Sequence, residues 1–225
     1  ASLEQVGEMA WAKHDQPDAG LWEFRTRQEV HTYSAVMSWA ACDRLAMAAE
    51  WLGKPDRTAL WRERAEAIRA RIEQEAWVEN SADGGHYGAS FESDYLDASL
   101  LQMVELRFLA PDNPRFLSTF SAVEKQLRRG DFMLRYAAED DFGAPETAFN
   151  VCTFWLIEAL YLAGRYNEAR RLFDTMLSHV TASGLLSEDL DYNTGELWGN
   201  FPQTYSLVGV INCAGLLSKP WSSIR

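Results

Sequence analysis

The chain has 225 residues, 47% of them hydrophobic and 24% charged, with a formal net charge of −12. That length makes one generous domain, and a chain of this size buries about 70–75% of its unfolded surface, so it needs neither disulfides nor a structural metal. The excess of 33 Asp and Glu over 21 Lys and Arg excludes a counterion-displacing nucleic-acid binder, and the absence of any run of about 18 apolar residues argues against a membrane span.

Cys42, Cys152 and Cys213 stand far apart inside apolar runs. That is neither a disulfide framework nor a zinc pattern, and it suits a cytoplasmic protein. No signal peptide is visible, and residue 1 is not Met. Nine Trp are unusually many.

Helical periodicity predicts eight helices, near 2–13, 34–52, 56–76, 94–108, 114–128, 147–163, 167–180 and 203–217. The links at 53–55, 110–113 and 164–166 are tight, with the Gly and Pro punctuation that stops one helix and starts the next. Those at 14–33, 77–93, 129–146 and 181–202 are long, and loops of that length in a compact domain are usually functional. Helix character alternates as well. Segment 147–163 carries Glu158 as its lone charge, whereas 57–75 is half charged around an apolar face of Leu60, Trp61, Ala65 and Ile68. Segments 34–52, 94–108, 147–163 and 203–217 read as buried inner helices, and 56–76, 114–128 and 167–180 as outer ones. This is an internal repeat of outer helix, long loop, inner helix and short turn. Antiparallel alternation would bring all four long loops to one rim of a helical toroid; the structural alternative is a solenoid of helix pairs with tolerated insertions.

The first long loop contains Pro17-Asp18-Ala19-Gly20-Leu21-Trp22-Glu23-Phe24-Arg25. Burial of Glu23 between Trp22 and Phe24 would raise its pKa, as a general acid requires; on this loop alone, an ion pair with Arg25 or Arg27 explains it better. The second supplies Gly84-Gly85-His86-Tyr87-Gly88. The third runs Leu134-Arg135-Tyr136-Ala137-Ala138-Glu139-Asp140-Asp141-Phe142-Gly143-Ala144-Pro145-Glu146. The last, Gly184 to Glu196, is dense in acids around Glu188 and free of Lys and Arg, without the EF-hand spacing that calcium needs. Aromatics, Arg and carboxylates on one rim suit a neutral sugar, while no Gly-rich phosphate loop precedes a helix. The four His form no ligand pair at helical spacing and no G-x-S-x-G elbow exists, so neither a metal nor any other cofactor is expected. Two carboxylates on convergent loops are the minimal equipment of a glycoside hydrolase.

Gly20-Leu21-Trp22-Glu23-Phe24-Arg25 with Tyr33 to Arg44, Leu134-Arg135-Tyr136, Pro145 to Phe149 with Phe154-Trp155-Leu156, Gly184 to Glu188, and Gly199 to Ser206 together resemble glycoside hydrolase family 15, in collinear order over nearly the whole chain. That family contains glucoamylases, glucodextranases and a bacterial trehalase branch. The resemblance implies an (α/α)6 barrel of twelve helices. It places the general acid on Glu23 and the general base on Glu188, with Trp22, Arg135 and Glu146 at the sugar; Tyr87 joins them as the aromatic of the second loop. Inversion at the anomeric carbon, with carboxylates roughly 6.5–9.5 Å apart, would release β-glucose from a non-reducing end. The expected activity is an exo-acting α-glucosidase of glucoamylase type on an oligosaccharide or disaccharide. Gly20 and Phe24 follow the bacterial branch, which keeps α,α-trehalose open as substrate. A non-catalytic toroid that binds carbohydrate or protein is the alternative from another class, and isomerisation or phosphorolysis on the same fold is a third. Eight helices of twelve make the chain read as a single, partial catalytic domain, the C-terminal two-thirds. Apolar faces left uncovered would seek the preceding part of the same polypeptide or a second copy.

Overall fold

The computed structural model describes residues 3–79, 84–140 and 143–218; residue 2 of the first predicted helix and residues 80–83, 141 and 142 of the long loops lie outside them. Each of the eight predicted helices has a counterpart among the described residues: α1 (Leu3–Lys13), α2 (Thr32–Trp51), α3 (Pro55–Glu75), α4 (Gln102–Glu105, entered through a 3-10 turn at Ala98–Leu101, and so much shorter than the 94–108 expected), α5 (Pro114–Leu127), α6 (Asn150–Leu162), α7 (Tyr166–Ser178) and α8 (Thr204–Leu217). The punctuation acts where the sequence puts it. Asn113 caps α5 by accepting from the N–H groups of Arg115 and Phe116, with Pro114 in the first turn. At the end of α2 the chain turns through Gly53 at φ 64°, and Lys54 N donates back to Ala49 O at 2.9 Å.

α2, α4, α6 and α8 touch one another in chain order, and α1, α3, α5 and α7 pack behind them. This is the inner and outer alternation read from the charge pattern. α3 shows why it holds: Trp61, Ala65, Ile68 and Ile72 are buried along one stripe, each large side chain contributing about 1.5–3 kcal/mol, while Arg62, Glu63 and Glu66 face water. The cysteines of α2, α6 and α8 are all fully buried. α8 departs from the reading of an inner helix buried all round. Ser206, Gly209 and Cys213 are buried, but Tyr205, Val208 and Ile211 are exposed. Among the described residues no helix is long and apolar enough to cross a membrane.

Two-residue strands stitch the long loops together. β1 (Trp77–Val78) pairs with β2 (His86–Tyr87), and β3 (Arg128–Arg129) with β4 (Phe132–Met133). β5 (Ala148–Phe149), β6 (Asp189–Leu190) and β7 (Leu197–Trp198) form an antiparallel sheet in that order. A bridge from His31 to Ser90 joins the first loop to the second, one from Asp97 to Tyr136 joins the second to the third, and β5–β6 joins the third to the fourth. All four therefore lie side by side on one rim. The tolerated-insertion alternative does not account for such lateral pairing.

Candidate active site

The first loop is a tight turn with two aromatic anchors. Asp18 Oδ1 accepts from Gly20 N–H at 2.7 Å, and Phe24 N–H donates to Ala19 O at 2.9 Å. Phe24 is buried against Tyr136, ring centroids 5.3 Å apart. Trp22 sits against Tyr136, Phe149 and Trp155 at 5.9, 5.9 and 6.1 Å. Glu23, between them, has φ 54°, a left-handed conformation that non-glycine residues rarely adopt and that concentrates at functional sites. The result corrects the sequence reading. Phe24 is buried and Trp22 half-buried, but Glu23 itself is exposed. Nor is Arg27 its partner, because that guanidinium lies over the Phe24 and Tyr95 rings at 3.8 and 4.6 Å.

Glu23 lines a cavity of about 480 Å³ with Leu21, Trp22, Trp155, Glu158 and Tyr205. Glu158, on α6, is 5% exposed. Burial first, then the negative charge of Glu105, push its carboxyl up from 4.5 to about 7, while the side-chain amides of Gln102 and Asn212 act in the opposite sense. The lone charge of an apolar helix was the signal for it, and the sequence reading assigned it no task.

Glu188 is half-buried and fastened at both ends of its residue. Its N–H donates to Asn200 O at 2.9 Å, and its carbonyl accepts from Asn150 N–H, also at 2.9 Å, at the start of α6. Its carboxylate accepts from Asn200 N–H, Asn200 Nδ2 and Gln203 Nε2 at 3.2, 3.0 and 3.3 Å. Gln203 is the residue that leads into α8, so the carboxylate stands at a helix N-terminus, held by amides. Gly199 leaves room for it, since a Cβ there would come within 3.0 Å of Glu188 Oε2. Next to it, burial and the charge of Glu188 push Asp189 up to about 6, with Arg135 opposing.

Arg135 and Glu146 share a second cavity of about 450 Å³ with Asp140, Thr147, Asp191 and Trp198. Arg135 Nη2 lies 3.5 Å from Asp140 Oδ2, which also accepts from the Tyr136 hydroxyl. Tyr87 is the exception. It is fully buried, edge-on to Trp77 at 5.1 Å, because the β1–β2 hairpin turns it into the core under α5. A side chain without exposed surface cannot contact a sugar on the rim, so its expected binding role is withdrawn.

The sequence reading missed Asp97. It is buried, and that burial raises its pKa despite hydrogen bonds from Ser99 and Trp22. Its signal was an Asp directly before an apolar helix, the mark of a cap.

The family model described as "Glycosyl hydrolases family 15" matches residues 8–215. A protein named trehalase from Mycobacterium tuberculosis is 35% identical, over 94% of this chain and 32% of its own length. Another trehalase, from Thermoplasma volcanium, is 34% identical over 90% of this chain and 32% of its own length. The chain thus spans about a third of the length of these curated relatives. Among solved structures, a bacterial glucoamylase complexed with acarbose superposes with a TM-score of 0.79 at 15% identity, covering 95% of this chain and 37% of that one. That likeness carries the fold, an (α/α)6 barrel, of which this chain supplies eight helices among its described residues.

Proposed function

The chain belongs to glycosyl hydrolase family 15, and from that premise we propose that it carries the catalytic carboxylates of an inverting α,α-trehalase. Glu23 is the general acid that donates to the glycosidic oxygen. Glu188 is the general base that takes a proton from water as that water attacks C1 on the opposite ring face. Sugar filling the cavity would exclude water from around Glu23, with Trp22 as its wall, and Arg135 and Glu146 would hold hydroxyls. Cleavage leaves one glucose as the β anomer at the attacked carbon and one as the α anomer that departs.

The observation that carries trehalose over longer α-glucans is the set of relatives, named trehalase at 34–35% identity. It favours the trehalose alternative over the glucoamylase-type activity expected first from the sequence. Support for hydrolysis comes from the rim, where the two carboxylate loops are joined through Phe149 and Asn150. The test is a substrate panel on the full-length protein: trehalose, maltose, isomaltose and soluble starch. Trehalose is expected to give a kcat/KM at least tenfold above the others; a preference for starch or maltose would restore the glucoamylase reading.

A further inference from the structure

Asp97 is 3% exposed, and no step above uses it. A buried carboxylate is costly unless its oxygens are filled, and here each oxygen has a separate partner. Oδ1 accepts from the backbone N–H and the hydroxyl of Ser99 at 2.9 and 2.5 Å, which caps the 3-10 turn. Capping needs only that oxygen. Oδ2 accepts from Trp22 Nε1 at 2.8 Å, across 75 positions of sequence.

Trp22 immediately precedes Glu23. Ring contacts with Tyr136, Phe149 and Trp155 fix the plane of the indole, but dispersion has no direction within that plane. The hydrogen bond to Asp97 supplies it. Glu23 keeps φ 54°, a conformation that costs about 1–3 kcal/mol and persists only when its surroundings over-determine it. Trp22 and Phe24 are the two anchors that do so. The same segment also holds the third loop, because Ala98 N–H donates to Arg135 O at 2.9 Å and Asp97 bridges to Tyr136.

We infer that Asp97 is a positioning residue, which locks the Trp22 indole and through it holds Glu23 where it can protonate a glycosidic oxygen. The inference rests on Glu23 being the general acid, and Asp97 itself touches no substrate. Asp97→Asn tests it. An Asn has one carboxamide oxygen, and satisfying the two Ser99 donors with it turns its NH2 toward the indole N–H, donor against donor.

The measurement uses full-length wild type, Asp97→Asn, Ser99→Ala and Trp22→Phe, each with trehalose and with α-glucosyl fluoride, whose leaving group needs little help from an acid. Asp97→Asn is expected to lose tenfold or more in kcat/KM on trehalose and less than threefold on the fluoride. Ser99→Ala, which disturbs the cap and spares the indole bond, should stay within threefold on both. A 15N spectrum gives a readout apart from activity. The Trp22 indole N–H, identified by its loss in Trp22→Phe, is expected to lose its exchange protection in Asp97→Asn.

Equal losses on the two substrates would make Asp97 merely structural and overturn the inference. So would an indole that loses protection while trehalose turnover is unchanged. Should Asp97→Asn fail to fold, Trp22→Phe, which removes the donor and keeps an aromatic wedge, is expected to lose at least tenfold more on trehalose than on the fluoride, its lost sugar contact falling on both alike, and equal losses there would also overturn the inference. A wild type that cleaves neither substrate would instead overturn the assignment of Glu23, and Asp97's role with it, even with the indole protected.

Discussion

At the scale of single residues, the two carboxylates assigned to chemistry are held in opposite ways. Glu188 is gripped by three amide donors, whereas Glu23 is exposed, on a left-handed backbone between two anchored neighbours. Glu23→Gln or Glu188→Gln removes a proton-transfer group without changing shape, so turnover is expected to fall by orders of magnitude while the thermal midpoint moves little; near-normal turnover in either variant would refute its role. Glu158 makes a different prediction. Its pKa is raised from 4.5 to about 7, so between those values the folded state holds a proton that the unfolded chain has lost. Stability from this group is complete below the unfolded value and is lost as pH rises through the folded one. The advantage in melting temperature of Glu158→Gln over wild type is therefore expected to grow from pH 5 to pH 8, with Glu105 on α4 and Cys213 on α8 as the titratable neighbours. A constant difference would contradict it. Glu23 and Glu188 could be put forward from the sequence because their motifs are local. Asp97 was not, because what matters about it is a partner 75 positions away.

At the scale of elements, charge alternation sorted inner from outer helices correctly because a half-charged segment such as α3 has only one face to bury. It said nothing of the strands. Two residues are too few to show an alternating pattern, so β5 to β7, which carry Glu188 to the start of α6, emerge only from the pairing. The same shortage shifted helix starts, since Ala148 and Phe149 read as helix by composition and are strand by partner. Tyr87 was misread for a related reason: a Gly-flanked Tyr looks like a loop tip until the hairpin that buries it is seen. Contact between α6 and α8 is close enough to test directly. A Cβ on Gly209 would lie 2.4 Å from the Phe154 ring, so Gly209→Ala is expected to cost about 1–3 kcal/mol by overpacking, visible as a lower denaturant midpoint. An unchanged midpoint would mean that the two helices can separate without penalty.

At the scale of the whole molecule, composition proved a weaker guide than arrangement. Nine Trp suggested a sugar-stacking site, yet Trp39 and Trp61 are core, the latter with Arg64 4.7 Å above its ring. Trp22, Trp155 and Trp198 are the ones that line the two cavities. The acidic balance fared better: carboxylates do gather on the rim, and the cations beside them are few. The exposed face of α8, with Tyr205 at the cavity mouth, was legible only in the sense that eight helices of a twelve-helix barrel must leave one open. What the fold delivers is four long loops laced edge to edge, with an acid candidate on the first and a base candidate on the fourth. Their joint action has a stereochemical signature that neither folding nor sugar binding can imitate. The direct test is an early proton NMR spectrum of the anomeric region as the full-length protein cleaves α,α-trehalose, taken before mutarotation. Equal amounts of α- and β-glucose are expected from single inversion at one anomeric carbon. Release of α-glucose alone, or no cleavage, would contradict the assignment of Glu23 and Glu188 as an inverting pair.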